Sequence, residues 1–217
     1  LNFETMGLFE NKIKQFPKIF DWVERQDVSR LSGFLLDNNR SNRLFVASGG
    51  SFSAAVYAEQ LSADKGIMSH ALTPLLYAGS GFAHVAARTL LISASGYNND
   101  ILRAYDNGCR AEEQEVGAVV LTSKGRLQTL MQENDANSLF GFDIPTGRDG
   151  FLSSTTVLAF YTLLYRAFGH TELSSVSTDI SEKEQEEING FVNRLKRISL
   201  DELTEHEAFL HKLEGVD

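Results

Sequence analysis

Two serine-rich segments contain the residues of this sequence whose types and spacing best suit the binding of an anion. The first is residues 48–51 (SGGS), and the second is residues 93–98 (SASGYN). Each follows a short apolar run and precedes a helical pattern, so glycine would let the backbone approach a ligand and a helix amino terminus would offer free N–H groups. Ordinary helix capping is the alternative explanation, because serine and asparagine are common caps. The occurrence of both segments together favours a phosphate site.

Several other kinds of site are not indicated. Neither serine segment has the spacing of a Walker motif or of the G-x-G-x-x-G fingerprint, so nucleoside triphosphates and dinucleotides are poor candidates. No His, Cys and Asp cluster has metal-ligand spacing, so neither a metal nor a cofactor is expected. The serine segments contain no lysine or arginine, so hydroxyls and helix dipoles would have to hold the anion.

The elements that must position these segments alternate along the chain. Short apolar runs predict five strands, at 44–47, 69–72, 89–92, 117–121 and 138–144. Helical spacing predicts helices at 8–23, 28–36, 51–61, 101–109, 127–131 and 151–168. Nearly all-apolar strands that alternate with helices indicate a parallel sheet covered on both faces. The predicted fold is therefore α/β, a three-layer α/β/α sandwich with a five-stranded parallel sheet of Rossmann or flavodoxin type.

The sequence changes character near residue 170. Residues 151–168 are apolar almost all round, which predicts a helix that is deeply buried or lies at a subunit interface. Residues 171–217 contain a capping box and amphipathic patterns, and they carry 12 acidic against five basic residues. We therefore expect a domain over 1–170 with N-terminal helices and a helical extension over 171–217.

Composition excludes some partners. The net charge is −9, most of it in residues 171–217, and no basic face is visible, so nucleic acid is not an expected partner. No apolar run approaches the roughly 18 residues that span a bilayer, so no membrane is expected either. The single cysteine, Cys109, cannot form an internal disulfide and is expected in the core, which together with the rest favours the cytoplasm. The chain begins at Leu1 rather than at methionine, which suggests a piece of a longer protein.

The serine segments are where the sequence resembles the sugar isomerase (SIS) family, which includes the isomerase half of glucosamine-6-phosphate synthase. Residues 48–51 are similar to the first phosphate loop of the family, and residues 93–98 to the second, usually written S-x-S-G-x-T. Residues 147–156 are similar to the segment that precedes a long apolar helix in the synthase. In the second loop Asn98 replaces the usual threonine.

The resemblance implies an SIS-type fold and a phosphorylated sugar or aminosugar as ligand. It implies phosphate binding by residues of the two serine segments, namely Gly50, Ser51, Ser93, Ser95, Gly96 and Asn98. It implies sugar contacts from residues before the apolar helix, namely Asp149, Leu152, Ser153 and Ser154. It also implies a homodimer or a pairing with a second SIS domain, because family sites are completed by a second unit.

Catalysis is less clearly indicated than binding. Aldose–ketose isomerisation needs a general base near the C1 and C2 protons and an acid to open the ring. The candidates are Glu59, His70, His84 and His170, and for each a structural role is the simpler explanation. Three functions therefore remain: a phosphosugar isomerase or aminosugar-processing enzyme, a non-catalytic sugar-phosphate sensor, and a protein-interaction scaffold.

Overall fold

The computed structural model of the chain describes residues 15–37, 42–79, 81–82, 87–111, 114–134, 138–147 and 154–170. The chain divides into two compact units, and the unit of residues 12–171 contains every described residue. The other unit, residues 1–11 and 172–217, lies outside the described residues, as does the expected extension over 171–217. The domain boundary at 170/171 stays a prediction.

Helices and strands alternate along the described part of the chain. The helices there are α1 (Phe16–Glu24), α2 (Ser29–Leu36), α3 (Phe52–Asp64), α4 (Pro74–Gly79), α5 (Asn99–Cys109), α6 (Arg126–Asn134) and α7 (Ser154–Ala167). The strands there are β1 (Asn42–Ala47), β2 (Met68–Leu72), β3 (Ala87–Ser93), β4 (Gln114–Val120) and β5 (Leu139–Gly141). A 3₁₀ turn, Gly49–Ser51, joins β1 to α3.

The five strands form one parallel sheet in the order β2-β1-β3-β4-β5. Val46 of β1 lies opposite Leu91 of β3, and Leu91 lies opposite Ala118 of β4. This confirms the predicted α/β fold with its five-stranded parallel sheet. Strand order reverses between β1 and β3, and in open α/β sheets such a reversal leaves a crevice at the carboxyl ends of the two strands.

Helices cover both faces of the sheet. Helices α4, α5 and α6 pack on one face, while α3 and α7 cover the other together with α1 and α2. Successive strand side chains point to opposite faces, so Leu44 and Val46 join one core cluster with Tyr77 and Ile101. Phe45, between them, is also fully buried. Burial on both faces explains why the strands are nearly all apolar.

Helix α7 occupies the segment for which burial or an interface was predicted. It ends shortly before Gly169, whose φ of +87° is accessible to glycine at little cost. Every residue of α7 is buried or half-buried, and the helix packs against α1, α2 and α3. Burial within the chain therefore accounts for its apolar sequence.

Three local predictions differ from the structure. Strand β5 was expected over 138–144 but spans Leu139–Gly141, because it is an edge strand that pairs with β4 alone. The short helix α4 was not predicted, since exposed Leu75 and Leu76 break any core-facing period. Cys109 was expected in the core but is exposed, because the inward face of α5 ends at Gly108.

Two buried arginines close the amino edge of the sheet, where β1 and β3 begin. Arg43 is 1% exposed and Arg88 is 4% exposed. Arg43 Nε donates to the Leu35 carbonyl at 3.0 Å, and Arg88 Nη1 donates to the Phe34 carbonyl at 2.8 Å. The last carbonyls of a helix have no partner within the helix, so the two guanidinium groups satisfy the carboxyl end of α2 and hold it against the sheet.

Candidate functional site

The two serine-rich segments meet at the carboxyl edge of the sheet. We call residues 48–51 loop A and residues 93–98 loop B. Loop A follows β1 and loop B follows β3, and the two strands are neighbours. Asn98 Nδ2 donates a hydrogen bond to Ser48 Oγ at 3.0 Å, which joins the loops directly. The fold thus brings together segments about 50 residues apart at the reversal of strand order.

Loop A leaves a serine hydroxyl uncommitted. Gly49 has a φ of +57°, a conformation that favours glycine, and it opens the 3₁₀ turn. Ser51 occupies the N-cap position of α3, yet its side chain makes no capping hydrogen bond. Ser53 Oγ donates back to the Gly50 carbonyl at 2.8 Å. The half-buried Ser51 hydroxyl therefore remains available beside the amino end of α3.

Loop B holds its serines as acceptors of backbone hydrogen bonds. Ser93 Oγ accepts from the Gly96 N–H at 3.2 Å, and Ser95 Oγ accepts from the Tyr97 N–H at 3.3 Å. A hydroxyl that accepts an N–H still has its own O–H to donate. The same holds for Ser48, which accepts from the side chain of Asn98. The loops therefore place several hydroxyl donors at one edge of the sheet, an arrangement that suits an anionic acceptor.

Asn98 both caps a helix and links the loops. Its Oδ1 accepts hydrogen bonds from the N–H groups of Asp100 at 2.8 Å and Ile101 at 3.3 Å, which caps α5. Its Nδ2 is then free to donate to Ser48. Capping and loop assembly, which were alternative explanations from sequence, are combined in this one side chain.

Replacement of Asn98 separates its two roles. Asn98→Ala removes the cap, and we expect the free energy of unfolding to fall by about 1 kcal/mol. Asn98→Asp keeps the capping oxygen but not the Nδ2 donor, so its stability should stay within about 0.5 kcal/mol of wild type. Urea unfolding followed by circular dichroism measures both. Equal losses in the two variants would show that capping of α5 contributes nothing.

Ser154 adds a buried hydroxyl near loop A. It is the first residue of α7, which packs against the 3₁₀ turn of loop A. Its Oγ is buried and has no hydrogen-bond partner among the described residues. The other residues expected to contact sugar, Asp149, Leu152 and Ser153, lie outside the described residues.

The described candidates for a general base lie away from the loops. Glu59 and His70 pair at 3.8 Å, and Glu59 Oε2 also accepts from the Ala71 N–H. His70 is level with Leu44, four residues before loop A and so about 13 Å down the strand. His170 stacks on Tyr165 beyond the far end of α7, about 24 Å along the helix axis from Ser154.

His84, the fourth candidate, lies outside the described residues. Within a single chain, Glu59, His70 and His170 have no route to a ligand held by loops A and B. A base for isomerisation would have to come from another residue or another subunit.

Two cations near loop B were missed from sequence because they follow the next strand in the sheet. We call residues 121–125, which follow β4, loop C. The Leu127 N–H donates to the Gly96 carbonyl at 2.9 Å, which joins loop C and the start of α6 to loop B. Lys124 and Arg126 flank this contact and are exposed. The site therefore has positive charge nearby, although loops A and B themselves have none.

Two cavities lie at the opposite, amino edge of the sheet. Their volumes are about 710 Å³ and 390 Å³, and Glu115 and Ser138 line both. Their carboxylates are paired, since Glu115 contacts Arg88 and Asp106 contacts Arg110. Neither cavity includes a residue of loops A, B or C, so both are separate from the candidate site.

Two other types of site were sought in the described ranges. No group of three His, Cys, Asp or Glu side chains that could hold a metal ion occurs there. None of the helices described is both long enough and apolar enough to cross a bilayer.

Comparisons with known proteins identify relatives by fold. No protein-family model matches the sequence, and no curated protein matches it. Tagatose-6-phosphate ketose/aldose isomerase from Escherichia coli is similar in structure, with a TM-score of 0.62 and 15% identity over 75% of this chain and 47% of that chain. The chain thus spans about half the length of that isomerase.

Two shorter structures match over almost their whole length. An Escherichia coli protein in complex with a sugar phosphate has a TM-score of 0.61 at 15% identity, over 85% of this chain and 96% of that chain. A Listeria monocytogenes protein provisionally named a sugar-phosphate isomerase has a TM-score of 0.60 at 14% identity, with the same coverage. At such identities the likeness shows the fold, which is that of phosphosugar isomerase structures.

Proposed function

We propose that the chain binds a phosphorylated sugar or aminosugar between β1 and β3, as part of a phosphosugar isomerase or an aminosugar-processing enzyme. The observation that carries the proposal is the meeting of loops A and B through the hydrogen bond from Asn98 to Ser48. Similar folds include a tagatose-6-phosphate isomerase and a protein in complex with a sugar phosphate, which supports a ligand of this class.

The chemistry of the loops suits a phosphate group. Phosphate oxygens accept hydrogen bonds, and the hydroxyls of Ser48, Ser51, Ser93 and Ser95 are placed to donate them. The amino ends of α3 and α5 add positive dipoles at the same edge. In this arrangement Ser154 would face the sugar, and Asp149, Leu152 and Ser153 remain predicted sugar contacts.

A non-catalytic sugar-phosphate sensor is the second candidate. It is favoured by the positions of Glu59, His70 and His170, which are remote from the loops. The described loops that follow the strands contain no histidine, and their one carboxylate, Asp143, accepts a hydrogen bond from the Ser123 N–H. Pairing as a homodimer or with a second SIS domain would supply further groups, and it stays a proposal, as does a cytoplasmic location.

Thermal unfolding against a ligand panel tests the binding proposal. The panel contains tagatose 6-phosphate, glucosamine 6-phosphate, the two unphosphorylated sugars and inorganic phosphate. A ligand present at about 100 times its Kd stabilises the protein by about 2.7 kcal/mol, or roughly 5–10 °C for a domain of this size. We expect a phosphorylated sugar to shift the Tm and its unphosphorylated parent not to.

Ser95→Ala and Ser69→Ala form the matched pair for this test. Loss of a hydrogen bond to a charged group costs about 1.5–3 kcal/mol, so Ser95→Ala should weaken binding at least tenfold. Ser69 bonds the Glu59 carbonyl on β2, remote from the loops, so Ser69→Ala should bind as wild type does. No shift with any phosphorylated sugar, or equal losses in both variants, would contradict the site.

Exchange of the C2 proton separates the enzyme from the sensor. A phosphosugar that binds is incubated with the protein in D₂O and followed by proton NMR. Exchange of the C2 proton for deuterium identifies an isomerase, because the reaction removes that proton. Binding without exchange identifies a sensor, or a site that needs a second domain for its base.

A further inference from the structure

A buried glutamine lies behind loop B. Gln128, on α6, is 2% exposed. Its Nε2 donates to the Thr122 carbonyl of loop C at 3.0 Å. Its Oε1 is buried and has no hydrogen-bond partner among the described residues. Burial of an unpaired amide oxygen costs free energy, so the side chain would not be expected there for its polarity alone.

The unpaired oxygen fits between two glycines. A methyl group added to Gly96 of loop B would lie 2.0 Å from Gln128 Oε1, and one added to Gly125 of loop C would lie 2.1 Å from it. The carboxamide therefore fills the space that the two missing side chains leave. Its oxygen faces the Cα–H groups of both glycines, a weak but recurring kind of contact.

Loops B and C are joined on both sides of this contact. The Leu121 N–H donates to the Ala94 carbonyl at 3.1 Å, and the Leu127 N–H donates to the Gly96 carbonyl at 2.9 Å. Gly125 also approaches the Ser95 carbonyl so closely that an added methyl would lie 2.4 Å from it. The amino end of α6 thus receives a carbonyl of loop B and acts as a support for that loop.

We propose that Gln128 is a positioning residue that sets the spacing between loops B and C and so orders the hydroxyls of Ser93 and Ser95 before a ligand arrives. This inference rests on the proposed function. A site whose donors are already ordered loses less entropy on binding, so loosening of loop B lowers affinity without removal of any ligand contact.

Two substitutions and a matched control test the role. Gln128→Ala empties the space behind Gly96, and Gln128→Met fills it but lacks the donor to Thr122. Met131→Ala truncates another buried residue of α6, which faces the core cluster and not loop B. The readouts are the Kd for inorganic phosphate and for tagatose 6-phosphate, and amide hydrogen exchange without ligand.

We expect Gln128→Ala to speed exchange of the Leu127 amide about tenfold relative to the Leu102 amide, which bonds Asn98 on α5. We expect its Kd for the phosphate ligands to rise about tenfold, with Gln128→Met between Gln128→Ala and wild type. Met131→Ala should leave the Kd within about twofold even where it lowers the Tm as much.

Each result decides something. Unchanged exchange in Gln128→Ala, an unchanged Kd despite faster exchange, or an equal rise of Kd in Met131→Ala overturns the positioning role. If wild type binds neither phosphate ligand, the proposed function fails for these ligands, and faster Leu127 exchange in Gln128→Ala still supports the ordering of loop B by Gln128.

Discussion

Arg88→Ala is expected to lower the free energy of unfolding by about 3 kcal/mol, since it breaks a buried ion pair. Arg88 Nη2 lies 2.9 Å from Asp37 Oδ2 and 2.6 Å from Glu115 Oε2, and the guanidinium lies 5.0 Å from the centre of the Phe34 ring. Burial opposes the charge, but the hydrogen bonds and charges of Asp37 and Glu115 outweigh it and raise the pKa of Arg88. The guanidinium therefore stays charged.

The expected loss is at the low end of the range for buried pairs. Both carboxylates keep more than a third of their side-chain surface exposed, so water can solvate them after the substitution. The Phe34 carbonyl loses its partner as well, which adds to the cost.

Urea unfolding of Arg88→Ala beside Arg110→Ala provides the measurement. Arg110 pairs with Asp106 at 2.7 Å, but both side chains are more than half exposed, so its removal should cost less than about 0.5 kcal/mol. Equal costs in the two variants would show that the Arg88 fork adds nothing beyond an exposed pair. Because Arg88 lies at the amino edge of the sheet, affinity for a phosphosugar should not change where the variant is folded.

Gly96→Ala is expected to destabilise the protein by about 2–4 kcal/mol and to abolish measurable phosphosugar binding. The φ of Gly96 is +69°, which costs an alanine about 1–2 kcal/mol. The new methyl would also meet Gln128 Oε1 at 2.0 Å. That carboxamide could move only by breaking its bond to Thr122, so overpacking adds about 1–3 kcal/mol. The tertiary contact thus adds to the strain of the turn.

Gly66→Ala is the matched control for this substitution. Gly66 has a similar φ of +71°, but nothing lies within 4 Å of an added methyl. It should therefore show the backbone cost alone and bind phosphosugar as wild type does. In the double variant Gly96→Ala/Gln128→Ala the steric part should be recovered and the backbone part should remain. A double variant no more stable than Gly96→Ala would contradict the contact with Gln128. Urea unfolding and calorimetric titration measure the two effects.

Local sequence patterns predicted most of the fold. The apolar run at 44–47 became the core of β1, and helical spacing after residue 51 became α3, with Gly66 just beyond its end. Such patterns are readable because strand and helix periods depend on neighbours along the chain. The fifth strand was placed correctly but predicted too long, because the extent of an edge strand depends on its partner.

The site was predicted in part for the same reason. Glycine and serine after two strands identify turn chemistry, and Asn98 was recognised as a residue that can cap a helix and donate hydrogen bonds. The sequence did not reveal that the Asn98 amide reaches Ser48, since that contact exists only when β1 and β3 are neighbours. Ser48 was within the motif but was not among the predicted binding residues.

By itself, then, the sequence determined the alternation of strands and helices, the parallel sheet and the two serine loops, because each rests on the order of residues along a short stretch. Only the tertiary structure decided which distant groups meet. Arg88 finds Asp37 and Glu115, 51 and 27 residues away, and Gln128 finds the backbone of loop B. Nothing in the sequence near either residue indicates those partners, since strand order and helix packing set the distances between them.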